Sequence, residues 1–468
     1  MSDLAEIVGR TIARREGRAF VRRTTSGLTD DPERVFAIAP IKMVSEEIVQ
    51  AMAFGDPDGS PTVITRWNPL SRDASDLGLF AIELNDYVAA VIAAQQVPRI
   101  WLPNGSALTA IDLLGLRYRT NAQATATLQR MGAQCRALAV EATFEGQQAV
   151  AVADALLQEH VLTGQMPVKD GHLGALLAWV VPEPGRDPAE VADERALVPA
   201  SGVLERGEDD EVESLRRIAK GHGPQAARAR RRIERVLDRA ARREWERLAA
   251  ARRAFWDLGL PVGPASRALE DASRDRLEYR LANDLNTPAT PHAVSRMIDL
   301  YEHATDLAED ARVRDDDGVR RQARAKGRAV HGEVTSVLQP RSSRKPCDIS
   351  LVTTQPVLRV RRGTTLKTID GAVETRVTDI REIGVGRTEI AMSVTKGVRR
   401  STVPTVGMGL ELVDTNPMDM SYLRNRVLQR VQAAASPLVY GSGLTAPPRS
   451  SGGAALSDVA DRLRRNPR

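Results

Sequence analysis

Residues 225–258 read as one long helix, and this segment constrains the fold more than any other. Ile233, Leu237, Ala241, Trp245 and Leu248 step by four, four, four and three residues, which draws a single apolar stripe along it. The flanking charge is lopsided. Residues 182–214 carry 11 acidic and 3 basic side chains, while residues 215–253 carry 14 basic and 4 acidic ones. Arg228, Arg231, Arg232, Arg235, Arg239, Arg242 and Arg243 fall largely on the side away from the stripe. A helix that presents so many guanidiniums can neutralise several phosphates, and its binding would depend steeply on salt. The alternatives are a solvated face balanced by Glu234, Asp238, Glu244 and Glu246, or an acidic stretch at 182–214 that folds back on the helix and competes with nucleic acid.

The chain has 468 residues, which points to about three domains at roughly 150 residues each. Hydrophobic content of 42% supports real cores, but at 4% aromatic these rest on Leu, Val, Ile and Ala. Of 66 basic residues only seven are lysine and 59 are arginine. Arginine makes forked contacts to phosphate, but the bias runs over the whole chain, as GC-rich codon usage would produce. Cys135 and Cys347 are too few for a disulfide framework or a thiolate metal site within one chain. Met1-Ser2-Asp3-Leu4 shows no signal-peptide pattern, and the longest apolar run, near 88–94, is short of a spanning helix. A soluble cytoplasmic protein with no membrane partner is expected.

The expected fold class is multidomain α+β: a mixed α/β N-terminal domain, a long antiparallel helical stalk or bundle, and a small C-terminal β-barrel. Residues 1–34 read as a helix and a loose arm. In the mixed α/β domain at 35–181, strands are expected at 51–54, 62–67 and 99–102, and helices at 108–116, 125–140, 147–162 and 172–180. Residues 182–210 carry Pro182, Pro184, Pro188 and Pro199 among the acids, as an acidic linker or mobile loop would. Residues 211–345 form the Arg-rich stalk, with helices at 266–284, 292–311 and 318–338 after the long one. Residues 346–440 form the barrel and a following helix at 420–435, with a hairpin turn at Asp370-Gly371. Residues 441–468 read as a flexible tail.

No catalytic set stands out, and no cofactor is expected. A P-loop lysine motif is missing, and Gly384-Val385-Gly386 and Gly441-Ser442-Gly443 read as turns. The six histidines lack metalloprotease spacing, although His160 and His172 flank one loop and are candidates for a ligand pair. Asp56, Asp58, Asp73 and Asp76 gather around the first hairpin, with Asp112 and Glu141 further on. Nucleases hold Mg²⁺ with two or three carboxylates near strand ends, so a metal-dependent nuclease is the alternative function; turn and cap roles are the simpler reading of these acids. In the β-rich module, Arg359, Arg361, Arg362 and Lys367 crowd one hairpin, with Arg376 and Arg381 on the next strand. Small barrels present such faces to single strands. Stacking aromatics are nearly absent there, which favours backbone contact.

Val357-Leu358-Arg359-Val360, the paired stretches 371–380 and 387–394, and Leu410-Glu411-Leu412-Val413-Asp414-Thr415-Asn416-Pro417 precede Met420-Ser421-Tyr422-Leu423-Arg424 and Ser436-Pro437-Leu438. This order of stalk helices, small barrel and short helix resembles the accessory region before the motor of superfamily 1B helicases. The resemblance covers 100 to 200 C-terminal residues, counted roughly, and the chain stops where the motor would begin. It implies a nucleic-acid-binding accessory protein that docks onto a separate helicase or ATPase in DNA repair or defence, with DNA favoured over RNA. A purely structural assembly protein is the remaining alternative.

Overall fold

The computed structural model describes residues 3–30, 32–43, 48–71, 74–199, 202–283, 291–338, 347–397 and 403–414. One compact unit holds residues 1–286 and 303–417, and a second holds 287–302 and 418–468. The helix expected at 420–435 and the tail at 441–468 lie outside the described residues.

α1 (Asp3–Glu16) leads to a short strand, β1 (Phe20–Val21). β2 (Val35–Lys42), β3 (Val49–Gly55) and β4 (Thr62–Thr65) form an antiparallel meander. α2 (Gly78–Ala93) then connects to β5 (Arg99–Leu102), and α3 (Gly105–Tyr118) with α4 (Ala126–Glu141) connects to β6 (Val150–Val152). The five strands lie in the order β4-β3-β2-β5-β6, with β5 parallel to both β2 and β6. The stretch expected as one helix at 147–162 is instead β6, α5 (Ala153–His160) and β7 (Val161–Leu162). β7 pairs with β1, and the Ser26 amide donates to the Pro261 carbonyl at 3.0 Å, so the expected loose arm is tied down.

β2 is buried along its whole length, as a central strand covered on both faces must be. Pro40 is tolerated because β5 pairs only with Val35–Ala37. On one face Phe36, Ile38, Met52 and Phe54 pack against Phe80, Leu84, Ile111 and Met131 of α2–α4. On the other face Ala37, Ala39, Ala51 and Ala53 leave a shallow surface, and the larger side chains of a single long helix fill it.

That helix follows α6 (Pro167–Asp170), α7 (Leu173–Val180), α8 (Pro188–Arg195) and α9 (Arg206–Ala219); it is α10 (Pro224–Asp257). Its Ile233, Leu237, Trp245, Leu248 and Phe255 share one core with the sheet alanines and Trp101. Each such side chain contributes about 1.5–3 kcal/mol on burial. The long helix is therefore one layer of the α/β sandwich rather than part of a stalk. The physical reason is the width of its apolar face: Ala226, Ala229, Val236, Ala240 and Ala251 widen the stripe, and a broad, partly alanine face fits a small-residue sheet.

The segment expected as a linker at 182–210 is packed as well. Asp187 accepts from the Ala189 amide at 2.9 Å to cap α8, whose Ala189, Val191 and Ala192 bury against Ala175, Ala178 and Trp179. Lys42 bridges Val203, and Leu204 enters the main core.

α11 (Arg267–Asn283) packs on α4 and adds Leu277 to the core on that face. α12 (Pro291–Asp315) and α13 (Asp317–Ala325) precede a strand, β8 (Ala329–Leu338), where a continuing helix was expected. Gly327, at φ +76°, turns the chain out of α13. From there burial alternates, with Val330 and Val334 inside and His331 and Glu333 outside. β9 (Asp348–Thr353), β10 (Thr365–Thr368), β11 (Glu374–Gly384), β12 (Arg387–Lys396) and β13 (Gly409–Val413) complete an antiparallel sheet of order β10-β11-β12-β9-β8-β13. β13 pairs back to β10, so the order closes and no edge is left along it. Residues 357–360, among those that carry the helicase resemblance, form no strand; β8 opens the module.

Candidate nucleic-acid interface

α10 starts at Pro224 behind Gly223, whose φ of +89° suits glycine, and its inward face fixes what points outward. Arg228, Arg231, Arg232, Arg235, Arg239 and Arg242 are all exposed. At about 100° per residue they occupy roughly a third of the circumference, opposite Ile233 and Leu237. From Arg228 to Arg242 the helix rises about 21 Å, which matches about six phosphates along one strand of a duplex.

These arginines are not equivalent. Arg228, Arg231 and Arg239 make no ion pair among the described residues, and Arg235 donates only to the Arg231 carbonyl, at 3.4 Å. Arg242 Nε donates to Asp238 at 3.0 Å on its own helix. Arg232 pairs with Glu211, and Arg243 donates to both carboxylate oxygens of Glu208 at 2.8 and 2.5 Å. Glu205 lies 3.7 Å from Arg243 as well. The Glu208 carboxylate holds the Arg243 guanidinium above its ordinary pKa. The acidic stretch thus does fold back on the basic helix, and it engages one flank while leaving a ridge of arginines open.

The basic residues of the closed sheet form a second group. Along β10 and β11, Leu366, Thr375 and Val377 face inward, while Lys367 is half-buried and Arg376 is exposed. Thr365 pairs with Arg376 and Lys367 with Glu374. Arg361 and Arg362 are exposed in the turn before β10, held against β11 by the Gly363 amide donating to Val377 at 2.8 Å. Arg359 stands apart, its amide bound to the Gly327 carbonyl at 3.0 Å beside α13. Arg361, Arg362, Lys367 and Arg376 thus lie on β10, β11 and the turn that leads into them, while the Arg359 backbone is bound to the end of α13. Arg381 on β11 is paired with Glu389 at 2.9 Å.

The N-terminal carboxylates are engaged one by one. Asp56 accepts from the Asp58 amide at 3.0 Å and shapes the hairpin turn. Asp58 accepts two bonds from Arg252, at 3.0 and 2.9 Å. Asp76 accepts from Arg66 Nε at 2.7 Å, and Asp112 pairs with Arg136. Glu141 is fully buried with Arg276, at 2.7 Å, and Ser273, at 2.9 Å. Asp73 lies outside the described residues. No group of three metal-ligating side chains converges among the described residues. The two histidines also have both ring nitrogens occupied. His160 Nε2 accepts from the Gly27 amide at 3.0 Å while Nδ1 meets the Leu156 carbonyl at 2.8 Å. His172 Nδ1 accepts from the Ala175 amide at 3.2 Å while Nε2 meets the Val198 carbonyl at 3.1 Å. Neither retains a lone pair for a metal, which removes the ligand pair considered from their spacing.

No family model, curated protein or solved structure matches this chain. No helix among the described residues is long and apolar enough to cross a membrane.

One set of residues escaped the sequence reading. Trp67, read there as the end of a strand, lines a cavity of about 350 Å³ with Arg216, Arg217 and Lys220. The Arg230 guanidinium sits 4.4 Å from the Trp67 ring centroid. The three cations were legible as part of the basic run, but the tryptophan lies some 150 positions earlier and no local pattern joins them.

Proposed function

We propose that this protein binds nucleic acid, DNA ahead of RNA, along the arginine ridge of α10. The observation that carries this reading is the row Arg228, Arg231, Arg235 and Arg239, exposed on a rigid helix without an acidic partner from another element. Such a row gives charge neutralisation at phosphates and no base readout, so the binding is sequence-tolerant and salt-sensitive. The group around β10 and β11 provides a second contact to the backbone. The role is that of an accessory protein inside the cell, without catalysis of its own, which works beside a separate helicase or ATPase in DNA repair or defence. The likeness of the C-terminal sequence, residues 357–438, to the region preceding superfamily 1B motors supports that partner class. The closed six-stranded sheet is the barrel of this reading.

The test is fluorescence anisotropy with labelled single- and double-stranded DNA and RNA at several salt concentrations. The Arg231→Glu, Arg235→Glu, Arg239→Glu variant is expected to bind at least tenfold more weakly, with a shallower salt dependence. Unchanged binding in that variant would overturn the ridge reading. Failure of any ATPase to co-purify from native cells would count against the partner.

A further inference from the structure

The cavity beside Trp67 is a separate feature from the ridge. Trp101, Trp179 and Trp245 are core residues, whereas Trp67 is only half-buried: it packs in part on the main core and also lines the cavity. Trp67 is held once at its ring and once at its backbone. Arg230 stacks on it at 4.4 Å and is itself fixed by two bonds to the Ala219 carbonyl, at 3.0 and 2.8 Å. Arg216 donates through Nε to the Trp67 carbonyl at 3.2 Å and through Nη2 to Gln50 at 2.6 Å. An aromatic plane held in this way loses little freedom when a ligand stacks on it.

Charge and size narrow the ligand. Arg216, Arg217 and Lys220 line the cavity against one acid, Glu213. Arg217 and Lys220 are exposed and make no ion pair among the described residues. Pro69 and Leu70 add apolar wall. At about 350 Å³ the cavity lies at the small end of ligand sites, which run from about 300 to 1,000 Å³, so it admits one small molecule and excludes a duplex. These cations stand at the C-terminal end of α9, where the helix dipole favours positive charge and offers no amides to an anion. Anion contact must therefore come from the side chains. An aromatic residue beside the exposed cations Arg217 and Lys220 fits a planar ring joined to a phosphate.

We infer that this cavity binds a single phosphorylated nucleotide, its base against Trp67 and its phosphate at Arg217 and Lys220. The nucleotide is either the end of a strand or a free mononucleotide; the chemistry recognised is the same. This inference does not depend on the ridge.

Isothermal titration of the full chain tests it, with nucleoside 5′-monophosphates, the parent nucleosides and inorganic phosphate as probes. The monophosphates are expected to bind at least tenfold more tightly than either fragment. Trp67→Ala and the double variant Arg217→Glu, Lys220→Glu should each weaken that binding at least tenfold. The double variant changes only exposed side chains, so a matching unfolding curve guards against a folding defect. The Arg231→Glu, Arg235→Glu, Arg239→Glu variant should bind mononucleotide normally, which separates the two readings. A 5′-phosphorylated single strand that binds more tightly than the mononucleotide identifies a strand end, and the reverse identifies a free nucleotide. Phosphate binding as tightly as nucleotide, no binding by any probe, or full affinity in Trp67→Ala would each overturn the proposal.

Discussion

Asp154 stands in the first turn of α5, nine-tenths buried, with its carboxylate accepting from the Ala155 amide at 2.7 Å. Burial pushes its pKa up to about 6 from an ordinary value of 3.8. The folded state therefore holds this proton more tightly than the unfolded chain does. Stability falls as pH rises from about 4 to 6, and above that the full penalty of an ionised buried acid remains. Asp154→Asn is expected to raise the melting temperature at pH 7.5 and to leave it unchanged near pH 3.5. His160 shows the opposite sign. Burial lowers its pKa, so its contribution is complete above about pH 6.5 and is lost as pH falls towards the folded value. Substitution of His160 by Gln should flatten the acid limb of the stability profile below about pH 6.5. Glu141 was considered as a metal ligand because its residue type fits, but a carboxylate that is fully buried with Arg276 is a structural ion pair. Its burial depends on α11, more than 120 residues away in sequence, which no local pattern reports. Glu141→Gln leaves Arg276 buried without its counter-charge and should cost about 3–5 kcal/mol in urea unfolding.

Helix–strand legibility depended on the pattern each element presents. β3, β4 and β5 were readable because turns and apolar runs bound them, and α10 because its stripe is long. β2 was not, since a strand buried on both faces lacks alternation. β8 was merged into the preceding helix because α13 and β8 are joined by only three residues, and the helical signal of Arg320, Arg321 and Arg324 ran into it. Gly332 within β8 marks the strand in hindsight: a Cβ there would meet the Val352 carbonyl oxygen at 2.5 Å across the sheet. The charge switch was legible, and so was the option that the acids fold back on the basic helix. Its consequence for binding can be measured at the α9–α10 pair. Glu205→Ala and Glu208→Ala together with Glu211→Ala free Arg243 and Arg232 for phosphate. On the proposed function, affinity should rise and the slope of log K against log salt should steepen by about 1.8 for two added contacts. A slope identical to the parent would show that the α9 flank does not face the nucleic acid.

At the scale of the molecule, the end of α12 joins parts that the sequence separates. Asp315 accepts from the Ala265 and Ser266 amides, at 3.2 and 3.0 Å, and from the Ser266 hydroxyl at 2.8 Å. The neighbouring Arg314 donates to the Ile369 carbonyl, in the turn after β10 of the closed sheet, at 2.8 Å. Asp315→Ala should therefore destabilise the protein by about 1.5–3 kcal/mol and speed amide exchange at Ala265 and Ser266 first. Contacts of this kind, between residues tens of positions apart, have no periodic signature, and a reading by composition finds breaks in the chain instead. The placement of α10 has a further consequence in time. The last strand of the central sheet ends at Val152, and the helix that covers its alanine face ends at Asp257, 105 residues later. At a synthesis rate of about 5–20 residues per second, that face waits roughly 5–20 s for its cover on the ribosome. During that interval the nascent chain carries an open apolar sheet, so chaperone demand should concentrate there, and a stop codon anywhere before α10 would release a sticky half-sandwich rather than a finished domain.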